Sequence, residues 1–267
     1  MGTDIKKLRT RIKSVNSTLH LTKAMGLVAS SKIRRATEKM NNSREYLKAV
    51  EESVAYLSSN RECLKSPYLA NRKGKNIQLI CIAGDRGLAG GYNANIFRLA
   101  REYDGASITA IGKYAADKFG GDFRSVEAFS YEDAKILSEK LCKDFAEEKF
   151  DRLGIICTNY ISMMSQQPCV KWILPLEKSD EKTNIGIVFE PDELTALNSI
   201  IPEYVAGAIF SAARESFACE VVSRRVAMDA AGKNAQEMLD GLGLEYNRAR
   251  QGAITQEITE IVAGSGL

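Results

Sequence analysis

The loop GDRGLAGGYN at residues 84–93 is the one stretch of the sequence with the look of a catalytic signature. It follows an apolar run at residues 77–83, and a glycine-rich strand-to-helix turn can hold a phosphate on the free amides of a helix N-terminus. Its glycines, however, follow neither the dinucleotide fingerprint nor the P-loop, and no Lys-Ser/Thr comes after the last of them. A tight, close-packed turn is the favoured reading. The one histidine, His20, excludes a His-based metal site and leaves no Ser–His or Cys–His pair for nucleophilic catalysis. Cys63, Cys81, Cys142, Cys157, Cys169 and Cys219 form no Cys-x-x-Cys pair, and several sit in apolar runs. They read as small buried hydrophobes of a reducing compartment. No catalytic residue, metal or cofactor is expected.

Charge narrows the partners. Lys and Arg number 37 against 34 Asp and Glu, a net charge of +3, which argues against a dedicated nucleic-acid binder. The first 40 residues are nonetheless one-signed. They carry Lys6, Lys7, Arg9, Arg11, Lys13, Lys23, Lys32, Arg34, Arg35 and Lys39 against Asp4 and Glu38. Such an end suggests an acidic partner surface. It also has the composition of a transit peptide, but a helical pattern starts at Ile5 and runs on without a processing break, so the chain reads as a mature cytoplasmic protein. The longest apolar runs fall far short of the roughly 20 residues that span a bilayer.

The elements that position these groups follow from the breakers. All five prolines, Pro67, Pro168, Pro175, Pro191 and Pro202, lie in the middle of the chain. Each end can therefore be one uninterrupted helix. At the N-terminal end an a/d stripe runs Ile5, Leu8, Ile12, Val15, Leu19, Thr22, Gly26, Ala29, Ile33, Ala36, Met40, Ser43, Leu47, Val50, Val54, Leu57. A seam repeating every 3.5 residues needs a partner helix. The C-terminal end supplies it with small residues from Ala206 to Ala235 and a closing stripe of Ile254, Ile258 and Ile261, while Gly241, Gly243 and Gly252 weaken its helical propensity. Two such ends pair most simply as an antiparallel coiled coil. Between them, strands are expected at 77–83, 107–111, 153–157, 170–174 and 185–189, and helices at 94–101, 113–119 and 131–149. Strand–helix alternation implies a parallel sheet with covering helices. Glu190-Pro191-Asp192-Glu193 reads as the capped start of a short helix, and Pro202 as the entry to the long one. The expected fold is α/β with long terminal helices around a central Rossmann-like domain: an N-terminal helix at 1–60, the α/β domain at 61–202 and a C-terminal helix at 203–267.

Three segments then carry a specific resemblance. LTKAMGLVASSKIRRA at 21–36 and YNRARQGAITQEITEIV at 246–262 resemble the signature stretches of the gamma subunit of F-type ATP synthases, and the loop at 84–93 is similar to that family's characteristic loop. The matches fall in order over essentially the whole chain. The resemblance implies a non-catalytic rotor shaft whose terminal helices turn inside a head of alternating alpha and beta subunits. The central domain would then lie toward the epsilon subunit and the membrane ring of c subunits, on the cytoplasmic face of a bacterial plasma membrane, with no membrane insertion and no nucleic acid.

By motif position, the resemblance places Met25 near a contact with beta, and Lys32, Arg34 and Arg35 against an acidic loop of beta. It places Arg224, Arg250, Gln251, Thr255 and Glu257 among coupling and head contacts. Three positions depart from the family pattern: Gly26 stands for a larger charged or polar residue, Arg225 for a methionine and Gly232 for a threonine. The rival readings are a nucleotide-binding enzyme built on the glycine loop and a generic coiled-coil scaffold or nucleic-acid-binding rod.

Overall fold

The structure is a computed structural model and describes residues 2–70, 72, 74, 76–177 and 189–266. Its elements are α1 (Gly2–Ser58), β1 (Ile77–Ile82), α2 (Tyr92–Ala100), β2 (Ser107–Ile111), α3 (Lys113–Phe119), α4 (Tyr131–Ala146), β3 (Arg152–Tyr160), β4 (Gln166–Leu174) and α5 (Glu193–Gly264). The chain divides into two compact units, Met1–Ser30 with Arg224–Leu267, and Ser31–Ser223.

The first unit is a helix pair. Along α1, the seam residues Ile5, Leu8, Ile12 and Val15 are half-buried and Leu19, Thr22, Gly26 and Ala29 are buried, while most positions between them are exposed. Thr22 is tolerated in the seam because its hydroxyl donates to the carbonyl of Leu19 at 3.0 Å, one turn back. The site of a Cβ on Gly26 lies 3.7 Å from Met228 Cβ, and that on Gly232 lies 3.6 Å from Thr22 Oγ1. Numbers rise on one helix as they fall on the other, so the pair is antiparallel. Carried to the start of α1, this register leaves the last turns of α5 with no α1 residue opposite them. Ile254, Ile258, Ile261 and Val262 are 47–69 % exposed there.

The second unit is the α/β domain with the adjoining lengths of α1 and α5. The seam continues, with Ala36, Met40, Ser43, Val54 and Leu57 buried and Ile33, Leu47 and Val50 half-buried. The four strands run in the order β2-β1-β3-β4. β1 is parallel to β2 and to β3, as alternation with helices requires. β4, however, returns antiparallel to β3 through a short hairpin, so the sheet is mixed where the alternation alone implied a parallel one. β4 is the edge strand, which is why Pro168, a residue without an amide proton, can sit in it. The pleat sends Ile80, Ile82, Leu153, Ile155 and Cys157 into one core with α4 and α5. It sends Leu79, Cys81 and Ile156 into a second core with α2. Residues 185–188, most of the expected fifth strand, lie outside the described residues.

One expectation is corrected at α5. The capped turn after Pro191 does not end, because the helix continues from Glu193 to Gly264 with Pro202 inside it. Asp192 caps the start, accepting from the Thr195 amide and hydroxyl at 2.8 Å each. A proline in a helix interior costs about 3 kcal/mol or more. Leu197, Ile201 and Val205, spaced four residues apart and each 0 % exposed, offset it. Full burial of an aliphatic side chain is worth about 1.5–3 kcal/mol, so three on one stripe hold the helix through the proline. Farther on, nearly the whole circumference of residues 205–222 is buried, and its small residues let neighbouring elements approach closely.

Candidate coupling surface

The glycine loop is built as a joint. In the domain, the Gly84 amide donates to Asn93 Oδ1 at 2.9 Å, and the Asp85 and Arg86 amides donate to the two carboxylate oxygens of Glu220 on α5 at 3.3 Å each. The Asp85 carboxylate accepts in turn from the Lys113 amide (3.3 Å), the Ser125 hydroxyl (2.6 Å) and the Glu127 amide (3.2 Å). Three of the amides a phosphate would use are thus occupied by protein acceptors, and two carboxylates at the turn oppose any anion. Behind the loop, the Gly112 amide donates to the Arg124 carbonyl at 2.7 Å, and the Ala83 amide to that of Ile111 at 3.0 Å. The loop ties β1, α3 and α5 together, which is the work of the close-packed turn anticipated from its glycines.

The nine residues marked by the sequence fall in three sets. In the helix-pair unit, Met25 is half-buried beside the seam and Arg224 half-buried on α5. Gly26, next to Met25, faces Arg225, whose Nη1 is 3.2 Å from the position a Cβ would take. Arg225 is held there by Asp229 at 2.8 Å. Two of the three positions read as departures from the family pattern therefore meet: the small residue at 26 leaves room for the long cation at 225. The third, Gly232, lies against Thr22.

A testable consequence follows for Gly26. The neighbour its Cβ would meet is the far end of a side chain that is 30 % exposed and can shift by a few tenths of an ångström. Gly26→Ala is therefore expected to raise stability by up to ~1 kcal/mol, the helix-propensity gain. Thermal unfolding of the two chains reads this directly.

The second set is Arg250, Gln251, Thr255 and Glu257, all exposed on the last turns of α5. The Thr255 hydroxyl donates to the Gln251 carbonyl at 2.9 Å, leaving the other side chains of the set directed to solvent. The third set lies in the domain unit. Lys32 Nζ is 2.5 Å from Glu127, which also meets Arg86 at 3.4 Å, while Arg34 and Arg35 are exposed. Lys32 is thus engaged within the chain, and Arg34 and Arg35 present the cationic surface.

A buried charge cluster was not anticipated. Glu215, 1 % exposed, receives Arg44 of α1 at 2.5 Å, Lys171 of β4 at 2.8 Å and the Tyr160 amide at 2.8 Å. Burial alone would raise the Glu215 pKa, but the Lys171 charge and the donors around the carboxylate outweigh it and hold it below 4.5. The cluster fastens α1, the sheet edge and α5 to one another. The signal was in the sequence: carboxylates at 215 and 220 sit in an otherwise apolar and small stretch of α5.

Comparison with known proteins agrees with this architecture. A family model described as ATP synthase matches residues 4–266. The ATP synthase gamma chain of Alkaliphilus metalliredigens is 37 % identical over 99 % of both chains. That of Ruminococcus albus is 39 % identical over 98 % of both. Among solved structures, a chain of the mitochondrial ATP synthase of Euglena gracilis (OSCP/F1/c-ring, rotational state 3) shares the fold. Its TM-score is 0.69 at 18 % identity, covering 100 % of this chain and 97 % of that one. A chain of the same enzyme's rotor matches with a TM-score of 0.66 at 18 % identity, covering 95 % and 100 %. With its long terminal helices, its mixed central sheet and relatives matched from end to end, the chain belongs to the ATP synthase gamma chain family.

Proposed function

We propose that this chain is the central rotor shaft of an F-type ATP synthase. It couples ion-driven rotation of the membrane c-ring to ATP synthesis or hydrolysis in the alpha–beta head and carries no chemical step itself. The observation that supports this most is the end-to-end relation to gamma chains, at 37 % and 39 % identity. A generic coiled-coil scaffold would not share both helices and the domain between them. In this reading residues 1–60 and 203–267 are the shaft and residues 61–202 the body, which meets the epsilon subunit and the c-ring. The complex sits peripherally on the cytoplasmic face of a bacterial plasma membrane. Among the described residues, no helix is long and apolar enough to cross one.

The physics of each set suits its role. Arg34 and Arg35, exposed and with no buried partner carboxylate among the described residues, form the screened contacts that rotation must make and break against an acidic loop of beta, with Lys32 joining by exchange with Glu127. Met25 meets beta from the helix pair, and Arg224 serves coupling and contacts near the head. Arg250, Gln251, Thr255 and Glu257, together with the exposed isoleucines, present the far end of α5 to the head.

Co-expression with cognate alpha and beta subunits tests the assignment. The expected product holds one copy of this chain for three alpha–beta pairs and has an ATPase that depends on it; a chain that dimerises alone and leaves alpha and beta free would contradict it. Removing residues 254–267 is a sharper probe of the tip. Residues 254–266 are exposed, so the isolated chain should keep its unfolding midpoint within about 2 °C. The ATPase of the assembled complex should fall several-fold. An unchanged ATPase would remove the tip from coupling.

A further inference from the structure

Cys157 and Cys169 face each other across the β3–β4 pair. They are register partners, and their sulfurs lie 3.8 Å apart. Cys157 is fully buried in the core beneath α5, whereas Cys169, on the edge strand, is the one cysteine of the six that is half-buried. Two residues along the same strand and on the same face, Lys171 brings its ammonium to Glu215. This arrangement combines a half-buried cysteine on the sheet edge, a buried one whose sulfur lies 3.8 Å from it, and a nearby cation. Directly opposed residues in an antiparallel pair stand about 4.5–5.5 Å apart at Cβ and a disulfide needs about 3.5–4.5 Å, so a small approach of the two strands closes the bond.

We infer that Cys157 and Cys169 form a redox modification site, a cross-strand dithiol that closes to a disulfide when Cys169 meets a low-molecular-weight disulfide. The Cys169 thiolate attacks one sulfur of the reagent RSSR. A Cys169–SR mixed disulfide forms and RS⁻ leaves. Cys157 then attacks Cys169 Sγ, breaking the mixed bond and expelling the second RS⁻, while the Cys157 proton goes to a leaving thiolate. The two protein thiols lose two electrons in all, and RSSR gains them as two thiols.

The order of attack is set by the pair itself. Either sulfur can donate in the S–H···S contact; with Cys157 as the donor, that bond, aided by Lys171 against the cost of burial, lowers the Cys169 pKa from 9.0 to about 7. Cys157 is pushed upward as the proton-holding partner. Burial raises Cys81 and Cys142 to about 12, and it raises Cys63 and Cys219 as well, so those thiols hold their protons more tightly. At neutral pH Cys169 is the nucleophile.

The experiment exposes the full-length chain to glutathione disulfide at pH 7.5, quenches by alkylation at intervals and reads intact mass and peptide maps. The expected result is a chain lighter by two hydrogens, with the peptides holding Cys157 and Cys169 joined. Cys169 should react at least about ten-fold faster than any other cysteine, and the initial rate should fall as pH drops below about 7. Cys157→Ala should arrest the reaction at the mixed disulfide on Cys169, and Cys169→Ala should leave Cys157 unmodified. A wild-type chain that stops at a persistent mixed disulfide, reacts first elsewhere or stays fully reduced would overturn the inference. The wild-type readings decide this without either variant.

Discussion

Gly112→Ala is expected to be the most destabilising glycine substitution in the α/β domain. Gly112 has φ of +96°, and a Cβ there would stand 1.9 Å from the Ala83 carbonyl oxygen and 2.8 Å from its carbon. Both atoms are backbone at the end of β1, held in place by the bond from the Ala83 amide to Ile111, so no rotamer change relieves the contact. The ends of β1 and β2 would have to part, and the glycine loop would lose its seat. The expected cost exceeds about 4 kcal/mol, in the range reserved for gross steric conflict. Two other glycines separate clash from strain. Gly105 and Gly120 also have positive φ, +85° and +79°, but nothing lies within 4 Å of a Cβ at either. Alanine at those positions should cost only the conformational strain, about 1–3 kcal/mol. Urea unfolding followed by circular dichroism would rank the three variants; equal losses would refute the close approach at Gly112.

Glu215→Ala is the second large effect. The substitution leaves Arg44 and Lys171 without their carboxylate and the Tyr160 amide without its acceptor. Breaking a buried pair by removing one partner typically costs about 3–5 kcal/mol. The side chains of Arg44 and Lys171 are 39 % and 37 % exposed, so water reaches both cations. The loss should therefore lie at the low end, about 3 kcal/mol. The wild-type pH profile follows from the same group. Because the folded pKa of Glu215 lies below its unfolded value of 4.5, the cluster's contribution is fully present above about pH 4.5 and fades as pH falls below it. In Glu215→Ala that part of the acid sensitivity should be missing, so the two stability curves converge toward low pH. Parallel curves would mean the carboxylate is not the group that matters.

Much of this fold was legible because its signals are periodic. The α1 seam from Ile5 to Leu57 is buried or half-buried at every a and d position, since only a 3.5-residue repeat keeps one stripe against a partner. β2 and α3 begin and end where the residue pattern puts them, at Ser107–Ile111 and Lys113–Phe119. The direction of β4 was not legible. Its hairpin, with Ile161, Ser162, Met163 and Met164, lacks the Asn-Gly or Asp-Gly signal of a tight turn, and Ser162 closes it by side-chain and carbonyl bonds to Ser165. Pro202 misled for a different reason, since a local rule gave way to the burial of Leu197, Ile201 and Val205.

Among the candidate groups, the basic cluster holding Arg34 and Arg35 was visible by charge, and its role came only from the resemblance. The clasps were not visible. Glu215 finds Arg44 and Lys171, and Glu220 finds the Asp85 and Arg86 amides, across separations that only the folded chain closes. Lys32 belongs with them, because its partner Glu127 lies 95 residues away. The departures at Gly26 and Arg225 looked independent in sequence and are neighbours in space.

Rotation is the most direct test of the shaft assignment. The complex of this chain with alpha and beta would be fixed to a surface through the head. A bead would be tethered to a cysteine introduced as Asp104→Cys, an exposed position before β2, in a Cys169→Ser background that removes the reactive thiol. On addition of ATP, the bead is expected to turn in one sense, in steps of a third of a revolution, one for each alpha–beta pair. ATP hydrolysis with a stationary bead would contradict the account at its centre.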